Sequence, residues 1–428
     1  MEGKIELSAE FCISENVQGG GLDREEIEKW TKEGLEALKS INKRRWELGF
    51  TQLPFQDETI ELIRSLDICE REWENVVLVG IGGSSLGTSA LFKALKPINY
   101  NLFPYEARKG PKLFVLDNPD PELCWSVLQN IKKEKTIFLI ISKSGETIES
   151  VAYFYIILDI LKDLQRNILI ITTLNKGFLW QKAENLKIKL LPFPENVAGR
   201  YSVLSIVGLL PLYLLKVDIS SLLKGARSIA EFLHQRLEKE NPSVLSASLL
   251  VGLFERGKKI QVIMPYASSL YEMTLWYCQL WAESLGKKVF NFSWGQTPFP
   301  ALGAVDQHSQ LQLWVDGPKD KVVSFWEVQK FRKDLKVPEL GFSEFYYLEG
   351  KNLSQLLRTE KKATEKSLAM NGVPSMTYLI PEINPFFMGQ LIYLLELQTV
   401  IAGEIIGVNP FDQPGVELGK KLTKEYMG

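Results

Sequence analysis

Short apolar runs alternate with amphipathic stretches along most of the chain. Residues 22–74 differ: apolar positions recur at helical spacing among many charges ("REEIEKWTKEGLEALKSINKRRWELG"), which predicts an N-terminal helical segment lying on another surface. Beyond it, β-rich runs at 76–80 (VVLVG), 112–116 (KLFVL), 136–141 (TIFLII) and 167–172 (NILIIT) are separated by helical stretches of connecting length. Strands this apolar, each followed by a helix, predict a parallel sheet covered on both faces.

A second set follows the helical region 203–240, with runs at 258–266 (KKIQVIMPY), 289–293 (VFNFS), 321–328 (KVVSFWEV) and 376–381 (MTYLIP). The economical organisation is α/β, two units in tandem. It divides into a helical segment 1–74, a first unit 75–240, a second unit 241–405 opening at "NPS", and a C-terminal helical tail 406–428. The longest apolar run, VLSIVGLLPLYLL at 203–215, is too short for a bilayer and contains Pro211, and "MEGKIELSAE" lacks an apolar signal core. A soluble cytoplasmic protein with no membrane partner is expected.

Composition narrows the partners. Of 428 residues 45% are hydrophobic, enough for large cores, while a formal charge of -2 leaves no basic field to hold nucleic acid. Cys12, Cys69, Cys124 and Cys278 lie far apart without a Cys-x-x-Cys pair, as expected of inert thiols in a reducing compartment.

Ligands of open parallel sheets gather where strands exit into helix N-termini. Two exits are chemically loaded: "VLVGIGGSSLGTSALF", with Gly80, Gly82, Gly83, Ser84, Ser85 and Gly87, and "FLIISKSGETIESV", with Ser142, Lys143, Ser144, Gly145 and Thr147. Glycine turns and helix mouths present unpaired N–H groups to an anion, and the hydroxyls add donors. No Gly-Lys-Ser/Thr follows the glycines, and from Gly80 the sixth position is Ser85, so neither a Walker loop nor a dinucleotide fingerprint is present. A monophosphate of the sugar-phosphate class suits the hydroxyls better. For either loop alone, capping of a helix by Ser or Thr beside a tight glycine turn is the competing account. Glu146 is expected to point away from a phosphate or to pair with Lys143.

Further along, "YEMTLWYCQLWAESLGKK" at 271–288 predicts a helix ending at Gly286 with Gln279 and Glu283 on one face. An outer polar face with a Glu283–Lys287 pair is the alternative. Of the two histidines, His234 falls on an amphipathic surface helix and is incidental; His308 falls in a proline- and glycine-punctuated loop better placed for chemistry. In "NPFDQPGVELGK", Asp412 is expected to N-cap a last helix, with Gln413 at its mouth and Lys420 about two turns in.

The segments "GIGGSSLG", "SKSGETIES", "AGRYSVLS", "QLWAESLGKK", "GAVDQHSQLQLWVDGPKDK" and "NPFDQPGVELGK" resemble, in order, the successive motifs of the glucose-6-phosphate isomerase family, shorter bacterial type, across residues 80–420. The resemblance implies two sugar isomerase (SIS) domains and reversible interconversion of glucose 6-phosphate and fructose 6-phosphate by ring opening and a cis-enediol, without a cofactor. Matched motif by motif, Ser84, Ser142, Ser144, Thr147 and Gln413 fall on phosphate-binding positions. Gly83, Lys143 and Gln279 join them as substrate-binding candidates. Glu283 falls on the family's base, Arg200 on its enediolate-stabilising arginine, and His308 with Lys420 on its ring-opening pair. A homodimer is also implied, each active site borrowing the His308 loop from the partner subunit.

Two positions depart from the family pattern: Glu146 replaces a threonine beside Thr147, and Ala198 replaces a glycine before Gly199 and Arg200. A hydride shift across a divalent metal calls for several His and carboxylate ligands, and His308 is the one credible imidazole, so no metal is expected. A non-catalytic or different-substrate sugar-phosphate-binding protein on the same domains would keep the hydroxyl loops without needing Glu283, Arg200, His308 and Lys420 together. A nicotinamide-dependent dehydrogenase would explain the glycine loop alone.

Overall fold

The computed structural model describes residues 3–235, 241–289 and 291–428; the side chains of 232–235, His234 among them, lie outside that description. The chain opens on a three-residue strand, β1 (Glu6–Ser8), and the helix Arg24–Lys43. Asp23 starts this helix with a capping box: its side chain accepts from the Glu26 amide, and the Glu26 carboxylate accepts from the Asp23 amide.

Strands β2 (Asn75–Val79), β3 (Lys112–Leu116), β4 (Thr136–Ile141), β5 (Ile168–Thr172) and β6 (Lys189–Pro192) form one sheet in the order β3-β2-β4-β5-β6, parallel throughout. Every residue of β2, β4 and β5 is buried, which is why these strands read as unbroken apolar runs rather than alternating ones. The chain passes from β2 outward to β3 and then returns to β4 on the other side of β2. The exits of β2 and β4 are therefore neighbours at the point where the winding reverses, the position where open α/β sheets form a crevice.

The second sheet holds β7 (Ile260–Pro265), β10 (Thr297–Pro300), β11 (Lys321–Lys330) and β12 (Ser375–Glu382), with β8 (Lys287–Val289) and β9 (Phe292–Trp294) forming a separate hairpin. Its order is β1-β12-β11-β7-β10; all pairs are parallel except β1 with β12. The strand expected at 289–293 is thus not a strand of this sheet: Val289 ends β8 and Phe292 opens β9 of the hairpin, and Phe290 lies outside the described residues. The edge position belongs to β10, "TPFP", whose Pro298 and Pro300 conceal it in the sequence but are tolerated where one side needs no partner.

Behind the second sheet runs the helix Pro385–Ile406. Asn384 caps its start by accepting from the Phe387 amide, and Gly407 ends it in the left-handed region at φ 81°. Among the described residues it is the one helix long and apolar enough to cross a membrane, yet 94% of its most apolar window is buried inside the fold. It packs on the helices Ile219–Gln235, Pro242–Glu255, Tyr271–Leu285 and Arg24–Lys43. One apolar cluster continues from β2 and the helix Ile206–Leu214 through Tyr271–Leu285 to this helix, so the two sheets stand against a shared core.

Candidate active site

The exits of β2 and β4 form one wall of a cleft of about 740 Å³. After β2, a short turn at Gly82–Ser84 leads into the helix Leu86–Leu95; after β4, residues 142–147 lead into the helix Ile148–Leu161. A side chain on Gly83 would put its Cβ 2.2 Å from the Gly199 carbonyl carbon, so the glycine lets the first loop touch the turn that carries Arg200.

The hydroxyls of these loops do not cap helices. Ser85 and Thr147 stand at the two N-cap positions, and neither makes a side-chain capping bond. The Thr147 hydroxyl instead meets that of Ser142 at 2.9 Å, and the Ser142 Oγ also accepts from the Gly145 amide at 3.2 Å. Ser144 Oγ accepts from the Glu146 amide at 3.1 Å. The capping account of this second loop therefore fails. The orphan N–H groups at the start of the helix Ile148–Leu161 remain available to an anion.

The opposite wall comes from the helix Tyr271–Leu285, which ends at Gly286 as the sequence predicts. Gln279 Nε2 donates to one Glu283 oxygen at 2.8 Å, and Arg200 Nη1 donates to the other at 3.1 Å. Glu283 is fixed through both oxygens while its side chain stays 34% exposed to the cleft. Lys287, the partner in the alternative account of this helix, is turned elsewhere. Its ammonium donates to the Asn409 carbonyl at 2.9 Å, to the Asp412 carbonyl at 2.7 Å and to the Asp412 carboxylate, holding that carboxyl below its ordinary range.

Arg200 is only 2% exposed. Its Nε donates to Ser284 Oγ at 2.8 Å, Nη1 to Glu283 and to Gln413 Oε1, and Nη2 to the Pro410 and Asp412 carbonyls at 2.6 and 2.9 Å. All five donors of the guanidinium are matched, the condition under which a buried cation is tolerated. Ser284 was not among the expected site residues; a hydroxyl next to Glu283 on an otherwise apolar buried face of the helix was the available signal. Asp412 does not cap the last helix as expected. It faces Lys287 and Asn409, and the helix Glu417–Met427 starts at Val416 without a side-chain cap.

Of the expected site residues, Gly83, Ser84, Lys143, Ser144, Thr147, Arg200, Gln279, Glu283, Gln413 and Lys420 line this single cleft. Lys420 sits in the first turn of the helix Glu417–Met427, nearer its start than expected, where it pairs with Glu417 at 2.8 Å. Ser142 is buried beneath the loop and reaches the cleft through Thr147. His308 is not brought in: it stands exposed at the end of the turn Val305–His308 and lines no part of the cleft. Glu146 is exposed at the mouth, and Lys143, its expected partner, faces the carbonyls of Glu195 and Val197 instead. Lys176, not foreseen, joins Lys143, Arg200 and Lys420 as a lining cation, paired with Glu195 at 3.2 Å. A net charge of -2 thus conceals a local concentration of cations suited to an anion. Among the described residues no group of three or more His, Cys, Asp or Glu is placed to hold a metal ion.

The family model described as phosphoglucose isomerase matches residues 60–427. A glucose-6-phosphate isomerase of Carboxydothermus hydrogenoformans is 40% identical over 427 residues, covering 96% of this chain and 92% of that protein. A probable glucose-6-phosphate isomerase of Methanococcus maripaludis is 36% identical, covering 100% and 95%. Among solved structures, a hypothetical protein of Thermus thermophilus superposes with a TM-score of 0.88 at 34% identity, covering 99% of this chain and 100% of that one. A glucose-6-phosphate isomerase of Chlamydia trachomatis shares the fold at a TM-score of 0.80 and 20% identity, covering 98% and 92%. With a family model spanning most of the chain and relatives this similar along nearly their whole length, the chain belongs to the phosphoglucose isomerase family.

Proposed function

We propose that the cleft interconverts glucose 6-phosphate and fructose 6-phosphate with Glu283 as the proton shuttle. The observation that carries the assignment is the grip on Glu283: one oxygen bonded by Gln279, the other by Arg200, with the carboxylate open to the cleft opposite the hydroxyl loops. The phosphate binds to Ser84, Ser144, Thr147 and the backbone N–H groups beside them, with Ser142 bracing Thr147 and Gln413 closing the site from the C-terminal segment.

In the open-chain aldose, Glu283 removes the proton from C2. The electron pair moves into the C1–C2 bond, and negative charge develops on the C1 oxygen, where Arg200 opposes it. The same carboxyl then returns the proton to C1 while the 2-hydroxyl passes its own proton to the C1 oxygen, leaving a ketone at C2 and a hydroxyl at C1. A single carboxylate serves both carbons because they are adjacent and on one face.

Ring opening falls to His308 and Lys420. Lys420 lies in the cleft and His308 does not, which favours a homodimer in which each site receives His308 from the partner subunit. Exposed apolar side chains support such an interface: Val305 beside the histidine, and Leu340, Phe342, Phe345, Tyr346 and Tyr347 on the segment after β11. The cytoplasm suits this chemistry, and the four cysteines are free thiols. The decisive experiment is a coupled assay of fructose 6-phosphate conversion, in which the wild type turns over and Glu283→Gln does not; equal turnover of the two removes Glu283 as the shuttle.

A further inference from the structure

Lys143 follows Ser142 at the exit of β4 and lines the cleft, the position of a phosphate ligand. Its ammonium is engaged elsewhere. Nζ donates to the Glu195 carbonyl at 2.9 Å and to the Val197 carbonyl at 2.8 Å, using two of its three N–H groups. Among the described hydrogen bonds no backbone N–H reaches either carbonyl. Residues 193–198 join the end of β6 to the turn Gly199–Tyr201 that carries Arg200, and they have no regular secondary structure of their own.

We propose that Lys143 is a positioning residue: it ties the phosphate loop to the segment that delivers Arg200, and so sets the span between the two ends of the bound sugar. Two further contacts fit a tie of this kind. The Lys143 carbonyl accepts from the Thr173 amide at 3.2 Å, anchoring the phosphate-loop side to the exit of β5. At its far end the same segment meets the first loop where Gly83 touches Gly199. Lys143 and Gly83 thus hold the segment from both strand exits that form the phosphate wall. Burial lowers the lysine pKa, with Glu195 opposing and Arg200 adding to that effect, so the desolvated ammonium needs the two carbonyls.

The inference rests on the isomerase reading, and two linear inhibitors separate the two. A hexitol 6-phosphate carries charge on the phosphate alone, whereas 6-phosphogluconate adds a carboxylate at C1 that senses where Arg200 stands. For Lys143→Met we expect hexitol phosphate affinity within about twofold of wild type, 6-phosphogluconate weakened about tenfold, and kcat lowered about tenfold at nearly constant KM. Lys143→Arg keeps charge and donors and should return 6-phosphogluconate affinity to within about threefold. If Lys143→Met does not fold, Lys143→Gln, which keeps a neutral donor on a shorter arm, gives the same comparison. Equal weakening of both inhibitors would make Lys143 a phosphate ligand, and no change in either would make it irrelevant; both results overturn the proposal. Absence of turnover in the wild type would instead overturn the isomerase reading.

Discussion

Arg200 and Glu283 are joined by a single hydrogen bond, Nη1 to Oε2 at 3.1 Å, and the same Nη1 also donates to Gln413 at 3.0 Å. The other three guanidinium donors are fixed on Ser284 and two backbone carbonyls. To bond an enediolate directly, Arg200 has to release Glu283 or Gln413, and those are the two partners that line the cleft. The carboxylate proposed to take the proton and the cation proposed to oppose the resulting charge are therefore already coupled by a hydrogen bond.

Removing either partner should strike turnover rather than binding. Glu283→Gln keeps the shape and abolishes the base, and kcat should fall about 10²- to 10⁴-fold. Arg200→Lys keeps a charge but loses the planar fork that reaches five acceptors, and a loss of about 10²- to 10³-fold in kcat is expected. Steady-state kinetics with fructose 6-phosphate decide both; a rise in KM with kcat intact would contradict the assigned roles.

The hydroxyl loops should govern the remote end of the substrate. Thr147→Val is nearly isosteric and removes one donor to the phosphate, for which the loss of one charge-assisted hydrogen bond predicts a fall in kcat/KM of about ten- to a hundredfold. Competitive inhibition by inorganic phosphate should weaken in parallel. Unchanged inhibition would place the phosphate elsewhere.

A shared site can be tested by mixing. Glu283→Gln and His308→Ala homodimers are each expected to be nearly inactive. After subunit exchange, half of the hybrid's sites combine a native Glu283 with a native His308, so the mixture should recover about a quarter of wild-type activity. If each chain supplies its own histidine, no activity returns.

Glu396 offers a prediction on stability. It is 0% exposed on the helix Pro385–Ile406, and neither carboxyl oxygen has a hydrogen-bond partner among the described residues. Burial raises its pKa well above the ordinary 4.5. Below that value the carboxyl is protonated in both folded and unfolded chains and costs nothing in linkage. As pH rises above it, the unfolded chain releases the proton and the folded chain keeps it, so stability falls with rising pH. Glu396→Gln does not titrate, and its denaturant midpoint should gain on the wild type steadily from acid to mildly alkaline pH. Parallel pH profiles for the two proteins would contradict the assignment.

Much of the fold and of the cleft is legible in the sequence. Fully buried strands such as β4 announce themselves as apolar runs, and the four-residue recurrence of Gln279 and Glu283 puts them on one helical face. Edge elements were hidden: β10 by its prolines, β6 by the lysines around it, β1 by its length of three residues. The partners of Arg200 were hidden for another reason. Three of its five bonds go to residues 410–413, more than two hundred positions away, and two of those acceptors are backbone carbonyls that carry no residue signature.

The pairing of β1 with β12 has a consequence for how the molecule is made. Glu6 lies opposite Leu379, and the Ile5 amide donates to Gln390 on the buried helix behind the second sheet. On the ribosome, β1 waits for β12 to be synthesised before it finds its partner. The apolar faces that the helix Pro385–Ile406 will cover stay wet until then. The contact between Ile5 and Gln390 thus joins residues 385 positions apart, a non-local pairing that sets in only after the elements between them have been made.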